Sequence, residues 1–484
     1  LLVASAQPTG LANWLNGAVD PAVRGLSKAG FSAAVSLSET LQRFERLELV
    51  VGESHLKGRL EHQSMKGHTP SLSADLKGEL LDLDEGRALL ALFGSGDLLA
   101  NHEIAAKLDL ARFTADGVDA ENVDAVLTRA DGVVDINRLS IGNLAGASIT
   151  LHGQPLAGVL SGSVRASDPQ SLFRLLRERL PAHPLLSMLE RNANYYTNLD
   201  LAVEAGPVPR DDKAVQVRVN GTANGSRIGT ELQFDMFDGL ALLGDAAPKL
   251  RLDATLENTD TTILLGQAGL SPLPLEADGA GLLAVTLKSD GRKPADTSVS
   301  FSTDQTRFQI DGAFSLNGAD FAQGEGTVQL ESENIEPYLT MNGLVPPQFG
   351  FSLPTKLTGK VSVAANRIGL SGLEGHVADN PVSGQLTLFT GDGVPKIDGA
   401  LKLGQVEMPW LAEAMFGPIV DPVSGDLPDA ALGKPLAGNS EITLQLSADT
   451  FDPGRLGIVT EASARLAYRS GTLELSDAKG KWLG

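Results

Sequence analysis

The residues best suited to chemistry are the histidines and the close acidic pairs, and their spacing decides what they can do. His55, His62 and His68 are seven and six residues apart. No helix face presents them with a carboxylate in the arrangement of a zinc hydrolase, so they read as solvated strand or loop histidines. Asp82, Asp84 and Glu85 look like the start of a calcium loop, but the later glycine and bidentate glutamate are out of register. Asp84 reads better as a helix cap. Gly324-Glu325-Gly326 lies in a strand context with no third glycine in place and no following helix, which a phosphate cradle needs. There is no nucleophile elbow and no Walker pattern. With 60 acidic residues, carboxylate pairs at glycosidase spacing arise by chance. Asn220-Gly221-Thr222 and Asn224-Gly225-Ser226 fit glycosylation acceptors, and a chain this rich in turn residues supplies such triplets by chance too. The expectation is therefore a protein that is not an enzyme, with no catalytic residues, no metal and no cofactor.

Composition narrows the class. The chain has 484 residues, a net charge of −21, no cysteine, 53 glycines, 25 prolines and 5% aromatic residues. The charge disfavours nucleic acid and bare anionic surfaces. Without cysteine there are no disulfides and no thiolate ligands, and the compartment stays open. Few rings mean that Leu, Val, Ile and Ala must supply the buried surface. No run of about 18 apolar residues exists. The chain opens on Leu1 and stops at Gly484 in mid-pattern, so we read it as a stretch of a longer chain, with room for an anchor or targeting segment beyond either end.

The elements are mostly strands. Ile104, Ala106, Leu108 and Leu110 alternate with polar or small residues, as do Val215, Val217 and Val219, Phe308 and Ile310, Val361 and Val363, and Ile442, Leu444, Leu446 and Ala448. Period two gives each strand one apolar face. Asp131-Gly132, Asp278-Gly279, Asp311-Gly312, Asn317-Gly318 and Asp398-Gly399 read as hairpin turns. Short helices are expected from Asp84 to a stop at Gly94, from Asp168-Pro169, near Asp260 to Gly266, from Asn334 and Pro337 to Gly343, and from Pro409 to Gly417-Pro418. Strand, hairpin, strand and short helix thus recur, at roughly 46–94, 138–181, 215–270, 307–346 and 367–418, with an irregular step of roughly 60 to 90 residues. The segments are an irregular or helical stretch 1–37, β-repeat regions 38–181 and 214–418, a connector 182–213, a Pro/Gly-rich loop 419–440 and a further repeat begun at 441–484. In 1–37, Leu11, Trp14 and Leu15 mark one apolar helix face.

A sheet with one apolar face needs a cover, and these helices are too few and too short to provide one. Three solutions remain: sandwiches, a sheet rolled around its own side chains, or a partly curled sheet that holds something apolar. The low ring content leans towards the last. The fold class expected is mostly β: an elongated, antiparallel, repetitive curled sheet, groove-like, with short α-helices at repeat ends. The alternating positions Ile104, Leu108, Leu110, Val215, Val217, Val219, Val361, Val363, Ile442, Leu444 and Leu446 are the candidate lipid-facing residues, against the alternative of plain core packing.

Two segments resemble the AsmA family of bacterial envelope proteins: KLDLARFTADGVDAENVDAVLTRADGVVDINRLSIGNLAG, Lys107 to Gly146, and SEITLQLSADTFDPGRLGIVTEASARLAYRSGTLELSDAKGKWLG, Ser440 to Gly484. Both run strand, polar stretch, strand, Asp-Gly or Ser-Gly, strand. SVRASDPQSLFRLL, Ser163 to Leu176, resembles the strand-to-helix step found there. The likeness is diffuse and rests on pattern. It implies a periplasmic protein attached to the inner membrane through an N-terminal segment that this chain lacks. It implies phospholipid as partner, bound or conducted along an apolar β-groove, support of outer-membrane assembly and lipid homeostasis, and contacts with other envelope proteins. The alternative is a surface or extracellular β-repeat scaffold without lipid.

Overall fold

The computed structural model describes residues 1–16, 21–92, 102–209, 211–235, 249–270, 272, 279–291, 294–341, 346, 350, 352–389, 394–416, 440–454, 457–469 and 472–482. The expected loop at 419–439, the stops at Gly94, Gly343 and Gly417-Pro418, the turn residues Asp278 and Ser470-Gly471, and the side chains of Leu11, Trp14 and Leu15 lie outside the described residues. The chain divides into two compact units.

The first unit comprises Leu1–Arg179 and Tyr196–Ala223. Its strands are β1 (Leu2–Ser5), β2 (Ala29–Leu37), β3 (Leu41–Val51), β4 (Ser54–Gln63), β5 (Ser71–Asp82), β6 (Glu103–Ala115), β7 (Val118–Ala130), β8 (Val133–Leu144), β9 (Ala147–Gln154), β10 (Val159–Ala166), β11 (Leu199–Val208) and β12 (Asp211–Ala223). Each pairs with the next, antiparallel throughout except for β5 with β6, which run parallel. Three helices follow strands here: α1 (Pro8–Asn16) after β1, α2 (Leu83–Leu92) after β5 and α3 (Gln170–Arg179) after β10. Four antiparallel steps separate β1 from β5 and β6 from β10, and β5 and β6 point the same way. All three helices therefore leave from one rim of the sheet.

The second unit comprises Leu180–Tyr195 and Asn224–Gly484. It holds α4 (Pro184–Arg191), then β13 (Ser226–Asp235), β14 (Lys249–Asn258), α5 (Thr261–Gln267), β15 (Gly281–Asp290), β16 (Ala295–Thr303), β17 (Thr306–Phe314), β18 (Gly324–Ser332) and α6 (Glu336–Met341). There follow β19 (Thr355–Ala364), β20 (Arg367–Val377), β21 (Asn380–Phe389), β22 (Lys396–Glu407), α7 (Met408–Phe416), β23 (Glu441–Asp452), β24 (Val459–Arg469) and β25 (Thr472–Trp482). Sequential antiparallel pairing again holds, except for the parallel pair β22 and β23 across α7. Helices α5, α6 and α7 follow β14, β18 and β22, strands of one direction, so this unit too has a single helix-bearing rim.

The expected class is thus found: mostly β, mostly antiparallel, with short helices ending repeats. The repeat itself is longer than the hairpin-plus-helix first read. Four strands precede α2, α5, α6 and α7, and five precede α3, the extra one being the strand that enters through the parallel pair. The two segments that carry the family resemblance are one structural piece in two copies: β6–β7–β8 and β23–β24–β25 each begin on the strand just after a parallel crossover.

Sequence signals at the helix starts hold with one shift. Asp168 Oδ1 accepts from Gln170 N at 3.0 Å, Asp260 Oδ1 from Thr262 N at 2.8 Å and Asn334 Oδ1 from Glu336 N at 3.1 Å, satisfying free helical N–H groups. At α2 the cap is Asp82, not Asp84: its Oδ1 accepts from Asp84 N and Glu85 N. Other expectations are corrected. The stretch 182–213 is no connector, because it contains α4, β11 and the start of β12. The first 37 residues contribute two strands, β1 and β2, as well as α1. Asp131-Gly132 is the hairpin turn expected, both residues at positive φ, but Asp311-Gly312 and Asp398-Gly399 lie inside β17 and β22.

The reason is the pleat. In those pairs the aspartate takes the polar face and the glycine the apolar one, where a Cβ at Gly312 or Gly399 would run into the carbonyl of Glu325 or Gln385 on the next strand. Gly153 and Gly384 show the same device at φ of 124° and 142°. There the strand closes onto its neighbour on the apolar side, and only a residue without Cβ fits.

Candidate functional site

Registers carry apolar side chains across the strands in continuous rows. In the first unit Leu76 faces Leu108, Leu108 faces Ala125, Ala125 faces Leu139 and Leu139 faces Leu151. Leu151 then faces Gly162, Gly162 faces Val203 and Val203 faces Val219. In the second unit Phe301 faces Phe308, then Leu330 and Leu357 continue the row. Further along, Leu386, Gly399, Leu444 and Leu466 lie in register. Aligned side chains on one face touch their cross-strand neighbours, yet most of these stay half-buried. The described helices pack at the ends of repeats: α2 on β3, β5 and β6, α5 on β14 and β15, and α7 on β22, with Leu411 and Phe416 of α7 reaching the row at Leu444 and Leu466.

All eleven residues singled out from the sequence sit in these rows or at their continuation. Ile104, Leu108, Val217, Val219, Val363, Ile442, Leu444 and Leu446 are half-buried, whereas Leu110, Val215 and Val361 are buried. Leu110 joins Leu56, Ala120 and Val123 in a closed cluster. Ile442, Leu444 and Leu446 pack beside buried Leu466 and Tyr468, with Leu411 and Phe416 of α7 on the same cluster. A cavity of about 760 Å³ opens in the second unit, lined among others by Val377, Val382, Leu401, Leu403, Gln405 and Trp410. Its lining is mixed, with Asp379, Asn380, Glu407, Asp449 and Thr450 beside the apolar side chains. Phe301 escaped the sequence reading, whereas its register partner Phe308 was among the alternating positions.

The opposite face is polar and wired across strands. Lys77 Nζ meets Asp109 at 2.9 Å, Arg138 meets Asp124 at 2.6 Å, Arg227 meets Glu257 at 3.1 Å and Lys356 meets Glu331 at 3.1 Å. The hydrogen bond, and then the charge, between Lys77 and Asp109 raises the lysine's pKa and lowers the carboxylate's. All are solvent-exposed, so each pair contributes little to stability. Their role is to mark which face meets water.

Polar groups at the helix-bearing rim recur at one place in three of the five repeats, the first residue of the strand before last. Ser54 is 2% exposed, Ser226 0% and Thr306 3%. Ser54 Oγ accepts from Asp82 N and donates to Glu85, which also accepts from Glu53 N and Ser54 N. Ser226 Oγ donates to Gln267 and accepts from Asn258 Nδ2. Thr306 shares a 2.7 Å bond with Ser332. Buried polar atoms are costly unless bonded, and these bonds lock each hairpin to the end of its repeat. They are structural.

Among the described residues, no group of three or more His, Cys, Asp or Glu could hold a metal ion. The histidines do not all lie apart in solvent as expected: His62 Nε2 is 3.1 Å from Nε2 of His102. Sequence spacing hid this pair, because it depends on the parallel step that brings the start of β6 beside β5. Among the described residues, no helix is long and apolar enough to cross a membrane. Comparison with protein families, with curated proteins and with solved structures finds no match for this chain.

Proposed function

We propose that the apolar face of each unit binds the acyl chains of phospholipid, and that the protein serves lipid movement and outer-membrane assembly in the periplasm, held to the inner membrane by a segment outside this chain. One observation carries the reading: in-register rows of Leu, Val and Ile, on one face of the sheet, whose side chains remain half-buried. Each acyl methylene laid on such a wall gains about 0.8 kcal/mol without directional bonds. Sliding by one methylene exchanges one contact for its equivalent, so the chain is held and still moves. The resemblance to the AsmA family points the same way. No catalytic group is required.

The test is extraction of the purified protein with organic solvent and mass spectrometry of the extract. Phospholipid above the level of a control protein is expected, and its absence counts against the reading. Val203→Asp with Val219→Asp places two carboxylates in the middle of a row. Bound lipid should fall several-fold with circular dichroism unchanged, because both positions already see solvent. Unfolding of this variant would instead indicate a packed core, where an unpaired charge is not tolerated.

A further inference from the structure

We infer that His62 and His102 form a two-histidine site for one divalent transition-metal ion, at the helix-free rim of the first unit's apolar face. His62 lies near the end of β4 in register with Gln42 on β3 and Leu72 on β5, and Leu72 lies in register with Ile104 on β6. His102 immediately precedes β6, two residues before Ile104. Both imidazoles therefore project on the side of Leu72 and Ile104, from two strands that flank β5. The rings are 5.1 Å apart between centroids and tilted by 42°, and their Nε2 atoms approach to 3.1 Å.

That distance suits a shared cation. Two metal–nitrogen bonds of about 2.0–2.1 Å spanning it subtend an angle of roughly 100°, between octahedral and tetrahedral values. Zinc, copper and nickel all accept imidazole nitrogen, and water completes the shell on the open side. As neutral rings bonded only to each other, the pair leaves something unmet. One Nε2 can donate to the other, and His102 Nδ1 is buried without a hydrogen-bond partner, so Nε2 is the ring nitrogen of His102 that faces His62. Metal and proton compete for the same nitrogens, so affinity falls as pH falls.

The site does not depend on the lipid reading. The test is a titration of the full chain with zinc chloride at pH 7.5 in a buffer without phosphate or chelator, followed by calorimetry. One equivalent should bind saturably. His62→Ala and His102→Ala should each lower the affinity at least tenfold, and His55→Ala, an exposed histidine on the same strand as His62, should leave it unchanged. No saturable binding by the unmodified chain overturns the proposal, as does binding that survives both substitutions. If either variant misfolds, anomalous scattering from zinc-soaked crystals of the unmodified chain decides the matter: density between the two Nε2 atoms is expected, and density elsewhere only refutes the site.

Discussion

At the scale of single residues, the strongest constraints are buried polar atoms rather than members of the apolar rows. Glu85 closes the first rim lock by accepting from Glu53 N at 2.9 Å, Ser54 N at 2.9 Å and Ser54 Oγ at 2.5 Å. Its carboxylate occupies the space that a side chain at Gly52 would need, and Gly52 sits at a φ of 56°. Glu85→Ala leaves buried Ser54 unsatisfied, and a loss of about 2–3 kcal/mol is expected in urea unfolding, with Glu85→Gln costing less. Tyr196 offers a second measurement. It is 9% exposed and packs edge-on to Phe173 at 5.6 Å. Burial pushes its hydroxyl up to about 12. The neutral phenol is favoured in the folded state, so its contribution is complete below the ordinary value of 10.0 and is lost as pH rises through 12. Phenolate absorbance should show this tyrosine ionising near pH 12 in the folded protein, and Tyr196→Phe should remove that step. Ionisation near 10 would mean that the ring is solvated.

At the scale of elements, the sequence disclosed strands and helix starts well, because each depends on local chemistry: alternation in Ile442 to Ala448, and caps at Asp168, Asp260 and Asn334. It misled where one dipeptide serves two purposes. Asp-Gly at 131–132 makes a turn, whereas at 311–312 and 398–399 the same letters run through a strand. There the glycine answers to the backbone of the neighbouring strand, which no local window contains. The length of the repeat was hidden for a related reason. Its register is kept by the rim positions Ser54, Ser226 and Thr306, whose partners lie 26 to 41 residues away or in a helix. The close strand approach at Gly384 can be tested against a matched control. Gly384→Ala would place a Cβ on the Ala400 carbonyl, whereas Gly206 in β11 has open space around it and an ordinary φ. Gly384→Ala should cost roughly 3 kcal/mol by overpacking and backbone strain. Gly206→Ala should be neutral or slightly stabilising, since it removes chain entropy from the unfolded state. Equal effects of the two would show that the apolar face does not require glycine there.

At the scale of the whole molecule, charge opposes folding more than it supports it. The polar faces carry many ion pairs, but they are open to water: Lys57 and Glu48 are 73% and 56% exposed, Arg227 and Glu257 79% and 54%. Such pairs contribute little each and weaken in salt. Against them stands a net charge of −21, spread over strands only about 4.8 Å apart. Like charges even face each other, as Asp109 does Asp124, with Lys77 and Arg138 placed to offset them. Both terms are screened by added salt, so the sign of the response tells which is larger. The excess of negative charge repels over the whole folded chain, whereas each exposed pair is close to neutral in free energy. Raising sodium chloride from about 10 mM to 300 mM shortens the screening length from about 30 Å to under 10 Å. The melting temperature should therefore rise by a few degrees, in both units if they melt separately. A fall would mean that the cross-strand ion pairs act as a network and hold the polar face together. In that case Lys77→Met should lower the melting temperature of the first unit clearly, more than the loss of an isolated exposed pair would, and calorimetry in low salt would reveal it.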